Sequence, residues 1–191
     1  MAKRQRQVFS LVALLTVLMS VGIGALFFAE YLLRHPDLQA QIASLGYAGV
    51  VVIATIAGLN IILPIPAVTF TPIFVAAGLS LPGIIFALTI GTLLADFLGY
   101  LFGRISRDTL TTKYPKIIHR LRDIHKHHRQ WLLPIIFLFA AFVPLPNEAL
   151  ILPLAVLGIS WKKMALPLFL GNLVNQTIYA YGMHTVFRLL F

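Results

Sequence analysis

Leu63-Pro64-Ile65-Pro66 and Val143-Pro144-Leu145-Pro146 stand 80 positions apart, each within apolar sequence. The same offset pairs Gly78 with Gly158, Ser80 with Ser160 and Gly91 with Gly171. One spacing across every pair identifies a duplicated unit of roughly fifty residues, running from the Pro-x-Pro into the following helix. Proline removes a backbone donor and forces its predecessor out of helical geometry, so each Pro-x-Pro breaks an apolar segment. Duplicated breaks of this kind are a transporter pattern, because they leave backbone polar groups near the membrane midplane, where cargo or ions can bind.

Composition sets the solvent. The 191 residues are 59% hydrophobic and 11% charged, with a mean hydropathy of +0.90, whereas a soluble domain carries about a quarter charged residues. The expected fold is an all-α polytopic membrane protein. Val8 to Leu33, after the basic start Lys3, Arg4 and Arg6, exceeds the ~7–15-residue core of a cleaved signal peptide and is long enough to cross a bilayer. It is expected to be a retained transmembrane helix. With no cysteine there is no disulfide framework, thiol nucleophile or Cys-based metal site.

Charge then orients the chain. Arg104, Arg107, Lys113, Lys116, Arg120, Arg122, Lys126 and Arg129 fall in one stretch, and Lys162 and Lys163 follow the second repeat's turn. With the N-terminal three, these make thirteen of the fifteen Lys and Arg, leaving Arg34 and Arg188. All thirteen share the cytoplasmic side only if 47–80 is a re-entrant hairpin from outside and 131–159 is one from the cytoplasm. Full spans at about 83–103 and 164–190 then follow the hairpins. The alternative, two proline-kinked continuous spans, puts the basic stretch outside.

The expected organisation is therefore an inverted repeat. Residues 1–46 are an N-terminal transmembrane helix and outer linker; 47–103 are repeat 1; 104–130 are a basic cytoplasmic segment; 131–191 are repeat 2. Pro64, Pro66, Pro144 and Pro146 form the hairpin tips. Tyr114 to Trp131, with Ile117, Leu121, Ile124 and His128 at helical spacing, reads as a surface helix on anionic lipid. Asp37 to Ala43 reads as a shorter outer helix. The localisation expected is a prokaryotic inner membrane with the N-terminus cytoplasmic.

Few residues could carry chemistry. Asp96, about thirteen residues into its span, sits where a charged side chain costs at least ~2.5–3.5 kcal/mol, so it faces a cavity or partner, or is protonated. Glu148 follows the tip proline Pro146 and Asn147. The pair suggests proton binding or a polar cargo site; the plainer alternative is that each satisfies backbone donors at a broken helix. Asn172, Asn175 and Gln176 could bond cargo or bridge helices, and Gln176 is the repeat counterpart of Asp96. Gly91, Ala95 and Gly99 repeat every four residues and favour close packing. His119, His125, His127 and His128 lie among basic residues and favour a solvated surface over a metal site. No phosphate-cradling loop, nucleophile elbow or HExxH occurs, so neither enzymatic activity nor a cofactor is expected.

The stretch Gly91-Thr92-Leu93-Leu94-Ala95-Asp96-Phe97-Leu98-Gly99-Tyr100-Leu101-Phe102-Gly103-Arg104 resembles the DedA family, also called the SNARE-associated Golgi or VTT-domain family, in its acid followed by Tyr-x-x-Gly-Arg. Pro64-Ile65-Pro66…Gly78 and Phe142-Val143-Pro144…Gly158…Gly171-Asn172 are similar to its two hairpins, and the resemblance covers about 60–185. There are departures. Ala67 and Val68 stand where the family commonly has an acid, and Ala141 and Asn147 stand where it commonly has arginines.

What the resemblance implies is a transporter or scramblase moving phospholipid or polyprenyl-phosphate headgroups between leaflets, with proton coupling left open. Asp96 and Glu148 would bind protons or cargo. Asn147, Asn172, Asn175, Gln176 and Arg104 would contact cargo, with Lys162 and Lys163 drawing anionic headgroups to the cytoplasmic face. Partners are then membrane lipids rather than nucleic acid, and a homo-oligomer is compatible with the sequence. Two alternatives stay open: a proton-driven small-solute or cation exporter, and a non-transporting membrane organiser or assembly factor.

Overall fold

The structure, a computed structural model, describes residues 16, 19–21, 23–59, 66–113, 129–143 and 145–190. No strand occurs among them. Helical residues 19–21 and 23–33 (α1) lead into α2 (Pro36–Gly58). A 3-10 turn (Ala67–Phe70) precedes α3 (Thr71–Ala76), α4 (Leu81–Ile105) and α5 (Arg107–Lys113). A second 3-10 turn (Arg129–Trp131) opens α6 (Leu132–Phe142), followed by α7 (Glu148–Val156) and α8 (Trp161–Leu190). The tip prolines Pro64 and Pro144, the surface helix expected from Tyr114 onward, and the first part of the N-terminal span lie outside the described residues.

α2 and α4 have the length and apolarity to cross a membrane, but α2 is not one rod. Gly46 interrupts it at φ 54, ψ −155, a backbone state that a side chain would strain. The second half, 47–58, rises only about 18 Å against a hydrocarbon core of about 30 Å. The short helix expected over Asp37–Ala43 lies in the first half. α4 and α8 are longer than their expected 83–103 and 164–190. α8 is the longest helix, yet its apolarity is diluted because Asn172, Asn175 and Gln176 sit near its middle.

The two glycine turns 80 residues apart share one geometry. Gly78 and Gly158 both have φ +88, the left-handed state that ends a helix. Around them Ala77, Gly78 and Leu79 donate to Ile73, Val75 and Phe74; Leu157, Gly158 and Ile159 donate to Pro153, Ala155 and Leu154, the same pattern 80 residues on. The buried faces match as well: Ile84 and Leu88 in α4, Met164 and Leu168 in α8, are all fully buried.

Small residues set the helix packing. A Cβ on Gly91 would lie 2.5 Å from Ala54 Cβ and 2.5 Å from the Val51 carbonyl; one on Gly171 would lie 2.7 Å from Ala140 Cβ and 2.8 Å from the Phe137 carbonyl. So α2 lies against α4 as α6 lies against α8, each first arm on its own repeat's long helix. The second arms cross over: α7 packs on α4, where Gly103 would meet Ala155 and Leu152, while α3 packs on α8. Each long helix is thereby held between one arm from each repeat.

Candidate functional site: a buried amide and carboxylate cluster

Val143 is extended (φ −86, ψ 122), as the residue before a proline must be, so α6 ends there and the chain re-enters helix at Glu148. Where α7 then crosses α4, its first residues face Asp96, about 4–5 Å along the axis from the middle of α4.

Three side chains from three elements close a ring. Asn147 Nδ2 donates to both Asp96 oxygens at 3.1 Å and to Asn172 Oδ1 at 2.9 Å; Asn172 Nδ2 donates to Asp96 Oδ2 at 2.8 Å. Asp96 is 1% exposed and Asn172 3%. Hydrogen bonds to a charged group contribute about 1.5–3 kcal/mol each, enough together to offset the ~2.5–3.5 kcal/mol of placing a carboxylate at this depth. One turn toward the N-terminus of α4, Thr92 Oγ1 accepts from Gln176 Nε2 at 3.0 Å. Gln176 is buried and its Oε1 has no hydrogen-bond donor among the described residues.

Glu148 is buried, in electrostatic reach of Asp96. Its Cγ is 3.4 Å from where a Gly99 Cβ would sit. The Glu148 stem therefore lies in ordinary contact distance over Gly99 of α4. Of the residues expected to bind protons or cargo, the fold brings together Asp96, Glu148, Asn147, Asn172 and Gln176.

Asn175 and Arg104 stand elsewhere. Asn175 Nδ2 donates to the Ala141 carbonyl at 3.2 Å, one of the acceptors left over where α6 breaks. Arg104 is exposed at the end of α4, about 12 Å along the helix from Asp96. Tip residue Pro66 is exposed, and so is Pro146. Thr92 is the member that sequence reasoning passed over; its position four residues before Asp96, on the same helical face, is the signal that could have found it.

The cluster draws on both repeated sequences, Thr92 and Asp96 from the first and Asn147, Glu148, Asn172 and Gln176 from the second, but the positions equivalent to Asn147 and Glu148 contribute no polar group. Ala67 and Val68, counterparts of Asn147 and Glu148, are buried in an apolar cluster with Ala180 of α8. The residues before α7 thus bring an amide to Asp96 of α4 and Asn172 of α8, whereas the equivalent residues Ala67 and Val68 bring only apolar surface.

A family model described as the VTT domain matches residues 63–185, nearly two thirds of the chain. No curated protein and no solved structure matches the chain.

Proposed function

The chain belongs to the VTT-domain family, the defining domain of the DedA and SNARE-associated Golgi proteins, and on that premise we propose that this integral membrane protein moves lipid headgroups between leaflets through a path at the Asp96 cluster. Two opposed re-entrant hairpins build the path, and the acyl chains stay in lipid while the headgroup exchanges hydrogen bonds with Asn147, Asn172 and Gln176. Asp96 and Glu148 take up and release the proton that accompanies the passage.

The observation that carries this is the cluster itself: a carboxylate and three carboxamides gathered near the middle of two long helices, at the break of a proline-interrupted segment. Polar groups at such depth mark a path for cargo or ions. The re-entrant path has its own support. Tyr47 and Ser80, the two ends of the first hairpin, are hydrogen-bonded at 2.9 Å, and Tyr47 lies over Gly83, so the chain returns to the level from which it started. In the second hairpin Leu132, Ile159 and Trp161 share one apolar cluster.

A second use is favoured by one observation: among the described residues no guanidinium belongs to the cluster, so none of its described groups is specialised for phosphate. A proton-driven exporter of a small cation or amine would use the same two carboxylates. Liposomes with fluorescent phosphatidylglycerol or phosphatidylcholine separate the two. The lipid path predicts faster leaflet exchange with wild type and loss of that gain with Asn147→Leu. Exchange equal to protein-free liposomes, with a small amine moved against a proton gradient, would establish the exporter instead. No transport of either kind would establish a membrane organiser.

A further inference from the structure

The turn that closes each repeat has the same backbone, but different groups lie against it. A Cβ on Gly78 would meet nothing within 4 Å, whereas one on Gly158 would meet Arg107 Nη1 at 3.2 Å, Cζ at 3.3 Å and Nη2 at 3.4 Å. Three near-equal distances lay the flat of the guanidinium on the glycine and turn its N–H edge aside. The position 80 residues on from Arg107 is Phe187, buried with Ala76 and Ala77 in a cluster completed by Leu26, Ala29 and Leu32 of α1. At one turn the glycine is exposed and the phenyl ring and first helix pack beside it on Ala76 and Ala77, and at its equivalent an arginine lies on the glycine itself.

That arginine lacks the usual reason to be there. Arg107 is half-buried, and the ion pair found among the described residues is Arg34 with Glu30. Holding a long side chain in one place costs up to about 2 kcal/mol of rotamer freedom, which no carboxylate among the described residues offsets. Two further cations, Lys162 and Lys163, are exposed in the first turn of α8, four and five residues past Gly158. Cations there oppose the helix dipole, an unfavourable placement unless an anion joins them. An arginine fork, two ammonium groups and the start of a long helix are together suited to a phosphate.

We propose that Arg107, Lys162 and Lys163 form a phosphate seat at this end of the protein, with the free edge of the Arg107 guanidinium as bidentate ligand of a phosphate mono- or diester. The seat supplies the phosphate-binding group that the Asp96 cluster lacks. It rests on the lipid reading only for the source of the phosphate, a headgroup at the membrane surface.

The test titrates inorganic phosphate and short-chain phosphatidic acid into the full chain in neutral detergent, read by the emission of Trp161, the residue before Lys162. Both probes should bind wild type. Arg107→Gln should weaken binding about tenfold or more, and Arg107→Lys several-fold, since it keeps the charge and loses the fork. Lys162→Gln with Lys163→Gln should lose less, and that loss should vanish in high salt. Wild-type binding in Arg107→Lys, or equal losses in Arg107→Gln and the lysine pair, would mean diffuse charge and overturn the seat. Should Arg107→Gln fail to fold, Arg107→Lys carries the test. Phosphatidic acid binding at least tenfold tighter than phosphate identifies a headgroup; equal affinities identify free phosphate. Arg107-dependent binding without leaflet exchange leaves the seat standing and removes the transport reading. Exchange with no Arg107-dependent binding does the reverse.

Discussion

Replacing Asn172 by alanine tests whether the Asp96 cluster acts as one unit. The change removes the 2.8 Å bond to Asp96 and the 2.9 Å acceptor for Asn147. Neutral side-chain bonds between membrane helices contribute on average ~0.6 and at most ~1.7 kcal/mol, and bonds to a charged group about 1.5–3 kcal/mol. Loss of the two bonds together should therefore cost about 2–5 kcal/mol, with the cavity left behind adding to it. Adding Asp96→Asn, alone and in combination, closes a double-mutant cycle in which the cavity term cancels. A coupling of roughly 1–2 kcal/mol is expected, the range of a charged bond moderated by the membrane reference state. Trp161, whose ring lies 5.1 Å from Phe97 and 5.5 Å from Tyr100, reports unfolding in mixed detergent micelles as the dodecyl sulfate fraction rises. Trp131, 56% exposed, is replaced by Phe in all four proteins to leave a single emitter. Coupling below about 0.5 kcal/mol, the scatter of independent sites, would refute the idea of a cooperative cluster.

Gly91→Ala and Gly171→Ala should each destabilise by about 1–3 kcal/mol, because both Cβ atoms would collide with a neighbouring backbone carbonyl. Gly182→Ala, with nothing within 4 Å, should be neutral or slightly stabilising in the same micelle titration. Tyr47→Phe should cost about 1 kcal/mol and raise hydrogen exchange at the start of α4, and an unchanged exchange rate there would show that Ser80 does not depend on it. Asp96→Asn together with Glu148→Gln should make leaflet exchange independent of pH; a pH profile identical to wild type would remove both carboxylates from the mechanism.

Much of the frame was legible because it depends on local rules. A residue extended by the next proline and a long apolar run act over a few residues, so Val143 and α4 could be read directly, whereas Gly78 and Gly158 were legible only as a pair at the common offset. The candidate site was legible only as a set of residues. Asp96, Asn147 and Asn172 stand out as polar groups in apolar sequence, but nothing local separates them from Asn175, which faces a leftover carbonyl of α6 instead. Thr92 was passed over because a threonine in a helix commonly bonds its own backbone, and Arg107 because it sits in a run of similar cations.

The sequence by itself determined the apolar character of the chain, the 80-residue offset and the inventory of polar groups within apolar sequence, since those follow from composition and spacing. Only the tertiary structure decided which of them meet. Asn147 reaches Asp96 across 51 residues and Asn172 across 76, contacts set by the rotation and closeness of three helices. Rotation and closeness depend in turn on where Gly91, Gly103 and Gly171 let neighbouring backbones approach. The same duplicated sequence thus yields a polar junction where Asn147 meets Asp96 and Asn172, an apolar one around Ala67 and Val68, and an arginine against Gly158 where nothing lies within 4 Å of a Cβ on Gly78. The physical reason is that side-chain partners in a helical bundle are chosen by packing across the chain, which spacing along the chain does not encode.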